Sequence, residues 1–148
     1  MELNDVLLRK KESIINRWFD LILNTYPQQT AEFVKTEKNQ FANPVGWTIR
    51  KGIEGIFDGI IQNKGVDKFL EDIIKIKAVQ GVAPSQAISF IFVLKQAIRE
   101  KIGSEYNELL ALESKIDRLA TISFDIFMKC REKIYQLQTN EMMKWGVK

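Results

Sequence analysis

Apolar side chains recur every three or four residues along most of the chain, which is the spacing typical of amphipathic α-helices. The predicted helices span residues from about 4 to 26, 27 to 38, 43 to 62, 67 to 79, 84 to 102 and 105 to 144. No segment shows the strict alternation of apolar and polar residues that a half-buried strand requires. The pattern therefore predicts an all-α fold, a single-domain helical bundle of about six helices over residues 1–148 with a long C-terminal helix.

Prolines and polar caps mark several of the predicted helix ends. Pro27 ends the first helix, because a residue that precedes proline is pushed out of the α region. Asn43 is suited to cap the third helix, with Pro44 in its first turn. The fifth helix starts at Pro84, and Ala83 stands where a complete capping box requires a hydroxyl side chain.

The composition is that of an ordinary soluble globular domain, with 45% apolar and 28% charged residues. Lys and Arg number 22 against 19 Asp and Glu, so the net charge is only +3. This excess is too small to predict a nucleic-acid-binding surface. The longest uncharged stretch, residues 78–94, contains Pro84 and several polar residues, so it is not expected to span a membrane. We therefore expect a soluble protein with neither a nucleic-acid partner nor a membrane span.

The chain contains no histidine and a single cysteine, Cys130. The lack of histidine excludes the Ser-His and Cys-His nucleophile pairs, histidine-ligated zinc sites and a haem with a proximal histidine. One cysteine cannot form an internal disulfide, which points to a reducing cytoplasm. Because the sequence also contains no phosphate-binding loop or nucleophile elbow, we expect no enzymatic activity, no catalytic residues, no metal and no cofactor.

Three glycines at spacings of three and four lie on one face of the third predicted helix. Each costs about 1 kcal/mol of helix stability relative to alanine, so another group is expected to approach the backbone closely there. A tight helix crossing is the favoured interpretation, and a ligand that lies against the backbone is the alternative. In the second case a small apolar ligand such as a fatty acid would lie between the third and fifth helices, with Arg50 available for its carboxylate. The candidate pocket residues are Trp47, Arg50, Gly52, Gly55, Gly59 and Phe90.

The last predicted helix carries a small or apolar residue at alternating steps of four and three, the rhythm of a coiled-coil seam. This stripe consists of Leu112, Ile116, Leu119, Ser123, Ile126 and Cys130. A straight helix over residues 105–144 would be about 60 Å long, so it must protrude from a compact domain of this size. We therefore predict a homodimer in which the protruding half pairs with a second copy, whereas a break near residues 121–123 would let the chain fold back on its own core. The predicted dimer residues are Ile126, Phe127, Cys130, Ile134 and Leu137.

Six short motifs along the chain together indicate a family. They are Phe-Ala-Asn-Pro-Val-Gly at 41–46, Ile-Arg-Lys-Gly at 49–52, Ile-Lys-Ile-Lys-Ala-Val-Gln-Gly at 74–81, Pro-Ser-Gln-Ala at 84–87, Phe-Ile-Phe at 90–92 and Met-Lys-Cys-Arg-Glu-Lys-Ile-Tyr at 128–135. In this order they resemble the motifs of the RsbRD-type N-terminal domain family, and the resemblance extends from about residue 7 to residue 141. Proteins of this type resemble the N-terminal input domains of stressosome proteins, which act as co-antagonists in the control of an alternative sigma factor.

The resemblance implies a haem-free, globin-like sensor or signalling domain that forms dimers. The lack of histidine agrees with a haem-free fold, whereas Ala83 departs from the hydroxyl cap expected at that position. The sequence contains no phosphorylatable STAS output domain, so the output is expected to lie in a separate protein partner. We therefore expect a non-enzymatic cytoplasmic sensor or signalling domain, with a small apolar ligand-binding protein as the alternative.

The purified protein is expected to contain neither haem nor a structural metal. Its soft side chains Met128, Cys130, Met142 and Met143 all lie late in the last predicted helix. The measurement is an absorption spectrum together with metal analysis. A Soret band, or metal at a stoichiometric level, would contradict the prediction.

Overall fold

The structure, a computed structural model, describes residues 2–146 and contains seven α-helices within them. The helices are α1 (Leu3–Arg9), α2 (Lys11–Leu23), α3 (Gln28–Thr36), α4 (Pro44–Gln62), α5 (Asp67–Val79), α6 (Pro84–Ile102) and α7 (Leu109–Lys144). No strand is present between residues 2 and 146, so the all-α prediction is confirmed. Within the same range, no helix is both long enough and apolar enough to cross a lipid bilayer.

The helix boundaries differ from the prediction mainly at two places, and in addition α2 ends at Leu23 rather than at residue 26 and α3 ends at Thr36 rather than at residue 38. The first predicted helix, 4–26, is two helices, because the backbone at Lys10 leaves the α conformation with φ −98° and ψ 9°. The apolar residues of α1 and α2 would point in different directions on one straight helix, and the bend turns both sets into the core. The last helix begins at Leu109 rather than 105, because Gly103 has a φ of 82° and opens an irregular connector. The described chain therefore has seven helices rather than six.

Helix α2 packs against both α6 and α4. Trp18 of α2 is fully buried, and its indole N–H donates a hydrogen bond of 2.6 Å to the backbone carbonyl of Phe90 in α6. This bond satisfies the one polar atom of a large apolar side chain. The ligand pocket expected between the third and fifth predicted helices would have to form beside this bond, where Trp18 and Phe90 are both buried.

Helices α6 and α7 pack side by side in antiparallel directions. Two ion pairs join them, Lys95 to Asp117 at 2.8 Å and Arg99 to Glu113 at 2.6 Å. From the first pair to the second, the residue number rises from 95 to 99 in α6 and falls from 117 to 113 in α7, so the two helices run antiparallel. These pairs are partly exposed to solvent, so they specify alignment more than they add stability.

Helix α7 runs parallel to α5, and two side chains of α7 fix this alignment. Lys115 donates a hydrogen bond of 2.6 Å to the Asn63 side chain, at the turn that precedes α5. Arg131 donates a hydrogen bond of 3.0 Å to the carbonyl oxygen of Ala78, close to the end of α5. The residues of α7 that follow Arg131 therefore extend past the C-terminal end of α5.

The glycines of α4 lie at its crossing with α5. A Cβ atom on Gly52 would lie 2.6 Å from Ile73 Cδ1, and one on Gly55 would lie 2.5 Å from the ring of Phe69. Gly59 meets the side chain of Val66 in the same way. Contacts this short leave no room for a methyl group, so the glycines permit a close helix crossing.

We expect Gly52→Ala to lower the free energy of unfolding by about 1–3 kcal/mol, because the added methyl group overpacks the crossing. This loss would occur although alanine is the better helix former by about 1 kcal/mol. Ile73→Ala removes both the Cδ1 atom and the Cγ1 atom that the methyl group meets, so the double variant should lose less than the sum of the two single variants. Denaturant titration of the four proteins is the measurement, and a Gly52→Ala variant more stable than the parent would contradict the crossing geometry.

One ion pair between α2 and α6 makes the stability of the folded protein depend on pH in the acid range. The hydrogen bond from Arg17 to Glu100, joined by a second one from Gln96, lowers the pKa of Glu100 to about 2 from an ordinary 4.5. The folded state therefore favours the ionised carboxylate more than the unfolded chain does. The stabilisation from this pair is complete above pH 4.5 and is lost as the pH falls towards 2.

The Glu100→Gln variant is therefore expected to be less stable than the parent at pH 7 and to lose less stability between pH 4.5 and 2. The measurement is the urea midpoint as a function of pH. Glu105→Gln, at an exposed site in the α6–α7 connector, is the matched control and should follow the parent. Identical pH profiles for Glu100→Gln and the parent would contradict the assigned role of this pair.

Candidate functional site

Helix α7 is one continuous helix of 36 residues, about 54 Å long at 1.5 Å per residue. It has no break near residues 121–123, so the chain does not fold back there. Every residue from 135 to 146 is exposed, and this segment is called the stem below. The stem therefore projects from the bundle as a single helix, in agreement with the prediction of a long C-terminal helix.

Most of the predicted dimer residues face the protein's own core. Phe127 is buried, and Ile126, Cys130 and Ile134 are half-buried against the same core, so only Leu137 is exposed. The reason is that the heptad stripe predicted from Leu112 onwards is the seam along which α7 packs on α5 and α6. These four residues are therefore largely covered before any second copy binds.

A different apolar stripe of α7 is exposed. Its residues are between 42% and 74% exposed: Phe124, Met128, Tyr135, Met142 and Trp145. With Arg131 and Gln138 they continue at alternating steps of four and three, so those within α7 share one face of the helix, and Trp145, at the C-cap, follows in the same spacing. This set is called the outer stripe. Its signal in the sequence, large apolar residues at heptad spacing, lies directly beside the predicted stripe.

Arg131 connects the outer stripe to the bundle. One end of its guanidinium group donates to the carbonyl of Ala78, and the other donates a 2.6 Å hydrogen bond to the hydroxyl of Tyr135. The same group lies 4.9 Å from the centre of the Tyr135 ring. A cation beside the last carbonyl groups of α5 is favourable because a helix carries partial negative charge at that end. The start of the stem is thus held in a defined position relative to α5.

A cleft of about 690 Å³ lies between α2, α3 and α4 and is called the α3 cleft. Two of the six predicted pocket residues, Trp47 and Arg50, line it. The other four lie elsewhere: Gly52, Gly55 and Gly59 face α5, and Phe90 is buried beside Trp18. The six residues therefore do not line one cavity.

Arg50 is bonded to protein groups through all three guanidinium nitrogens. It donates to Glu54 on its own helix, and to Asn16 and Glu12 on α2, at 2.7–3.0 Å. Its guanidinium also lies 5.7 Å from the centre of the Phe19 ring. These bonds use three of the five guanidinium N–H groups, and through them Arg50 fastens α4 to α2.

Asn43 builds the loop that shapes one end of the α3 cleft. Its side chain is buried and accepts a 3.0 Å hydrogen bond from the N–H of Gly46, so the predicted cap of α4 is confirmed. The amide of Asn43 also donates to the carbonyl oxygens of Val34 at 2.8 Å and Glu37 at 3.0 Å, which ties α3 to α4. Trp47, four residues after this cap, is thereby held at the cleft.

At the start of α6, the Gln86 side chain accepts a 3.2 Å hydrogen bond from the N–H of Ala83. The reciprocal bond has no side-chain acceptor because alanine carries no polar atom. Among residues 2–146, no group of three or more Asp, Glu, His or Cys side chains is arranged to hold a metal ion.

Comparison with known proteins places this chain in a family. Residues 12–142 match the family model of the RsbT co-antagonist protein rsbRD N-terminal domain, and the chain belongs to this family. An uncharacterized protein of Archaeoglobus fulgidus is 22% identical over 137 residues, which cover 88% of this chain and 83% of that protein. No solved structure matches the chain.

Proposed function

We propose that this protein is a non-enzymatic, cytoplasmic sensor or signalling domain of the stressosome input type. It works as a homodimer and passes its signal to another protein through α7. The family supports a role in signalling, because its description is that of the N-terminal domain of a co-antagonist protein. The observation that carries the proposal is the outer stripe, an exposed apolar face on a helix that projects from the bundle.

The outer stripe favours a second copy of this chain as its partner. Large apolar side chains on a solitary helix are unfavourable in water, and the heptad spacing matches that of two helices packed side by side. Residues 124–146 also carry charges of both signs: Lys129, Arg131, Lys133 and Lys144 beside Asp125, Glu132 and Glu141. Two copies of this segment can therefore lie together with little net repulsion.

The contacts of α7 support transmission from the bundle to the stem. The helix packs against both α5 and α6, and Arg131 joins the start of the stem to the end of α5. A displacement of α5 or α6 would therefore shift the outer stripe of one copy relative to that of its partner. The two positions of α7 then define two states of the dimer. A ligand or partner that prefers one of these states increases the population of that state.

The absence of an enzymatic role is supported by the environments of the carboxylates. Arg99 lowers the pKa of Glu113 through a hydrogen bond, as Arg17 does for Glu100. Both pairs lie between helices as structural contacts, and neither carboxylate lines the α3 cleft. A general acid would require the opposite shift, a carboxylate whose pKa is raised in a cleft. The cytoplasmic location rests on the stressosome resemblance and on the single cysteine.

The intact chain is expected to sediment as a dimer, and Met128→Glu with Met142→Glu is expected to weaken the dimer. Burial of a methionine side chain is worth about 1.5–3 kcal/mol, so the double variant should raise the dimer dissociation constant roughly tenfold or more. Both positions are exposed, so the changes leave the monomer folded.

Gln136→Glu with Asn140→Glu adds the same charge to another face of the stem and is the matched control. This control should sediment as the parent does. A parent that remains monomeric at high micromolar concentration, or a control that dissociates as readily as the methionine variant, would contradict the pairing of the outer stripes.

A further inference from the structure

The α3 cleft has the size of a small-molecule site, and its lining is mixed, with eight polar or charged residues beside four apolar ones. Its volume of about 690 Å³ falls within the roughly 300–1,000 Å³ of known ligand pockets. Phe19, Val34 and Trp47 contribute apolar surface from three different helices. Trp47 is 40% exposed although it is a large aromatic side chain, and its exposed surface borders the cleft.

The indole group of Trp47 is free to bind a ligand. Of the three tryptophans, Trp18 donates its N–H to Phe90 and Trp145 donates its N–H to Glu141. The indole N–H of Trp47 has no acceptor among residues 2–146. It thus offers a flat apolar face together with one hydrogen-bond donor.

Two ammonium groups beside the cleft have no carboxylate partner. Four basic side chains line the cleft, and two of them are paired: Arg50 with Glu12, and Lys35 with Asp20. Lys38 and Lys51, both exposed, form no ion pair within the described part of the chain. The one acidic lining residue outside those pairs, Glu37, accepts a hydrogen bond from the backbone N–H of Asn39. The four basic and three acidic side chains that line the cleft leave an excess of one positive charge, which attracts an anion.

We propose that the α3 cleft binds a small amphipathic carboxylate, an organic anion with an apolar body of the size of a medium-chain fatty acid. The apolar body lies against Trp47 and Phe19, and the carboxylate binds Lys38 and Lys51. The wall formed by α3 can adapt to such a ligand, because Val34 is the only buried side chain of that helix. The ligand contacts α2, α3 and α4, so it joins the weakly packed helix to the bundle.

The test uses the indole N–H signals of the full-length protein in a nitrogen-correlated NMR spectrum, with decanoate as the probe. The Trp47→Phe variant assigns the signal of Trp47. Decanoate is expected to shift this signal in a saturable manner and to leave the signals of Trp18 and Trp145 in place. Decanol has the same apolar body without the charge, and it should bind roughly fivefold or more weakly, as expected for the loss of an ion pair.

Variants of the two free lysines complete the test. Lys38→Gln with Lys51→Gln should weaken decanoate binding roughly fivefold or more, whereas Lys64→Gln with Lys101→Gln, at two exposed lysines outside the cleft, should leave it unchanged. Equal affinities for decanoate and decanol, equal affinities of the two lysine variants, or a shift at Trp145 in place of Trp47 would each overturn the proposal. Because no α7 residue lines the cleft, these changes do not disturb the pairing of the stems.

Discussion

The length of α7 relative to the bundle is the constraint on which the rest of the structure depends. Lys115 holds the first part of α7 against the end of α4, and Arg131 holds a later part of α7 against the end of α5. Between these two points one face of the helix is covered by α5 and α6, and beyond Tyr135 no other described helix reaches it. The helix therefore extends an apolar face into solvent, and the need to cover that face gives the protein a physical reason to associate.

The described interior of the bundle is closely packed. Trp18 is fully buried against α6, and the glycines of α4 bring α5 into direct contact with its backbone. Interiors packed at this density accept a ligand only if side chains move apart. The α3 cleft differs, because α3 has a single buried side chain and is joined to its neighbours by a few polar contacts.

Residue spacing and helix-capping residues predicted most of the helices. The features that they did not predict depend on how the helices pack against one another. Asn43, Pro44 and the glycine spacing of α4 gave correct expectations, because a helix cap and a face of small residues are each encoded by a few residues close together in the chain. The bend at Lys10 was not predictable from periodicity, because a turn of the chain there depends on how two apolar faces meet the same core.

The choice between two apolar stripes on α7 was also beyond the sequence. Ile126 and Cys130 belong to one heptad series and Phe124 and Met128 to another, and both have the spacing of a helix seam. Only the positions of α5 and α6 decide which series is buried. The partners of Arg50 could not be predicted from the sequence for the same reason, because its partners on α2 are more than thirty residues away in the chain.

The central claim is that the stems of two copies lie side by side along their outer stripes. The most direct measurement is the distance between spin labels at Asn140→Cys in two copies of a chain that carries Cys130→Ala. Paired stems predict one narrow distance distribution, consistent with helix axes about 8–10 Å apart. The absence of dipolar coupling between copies, or a broad distribution without a defined distance, would contradict the claim.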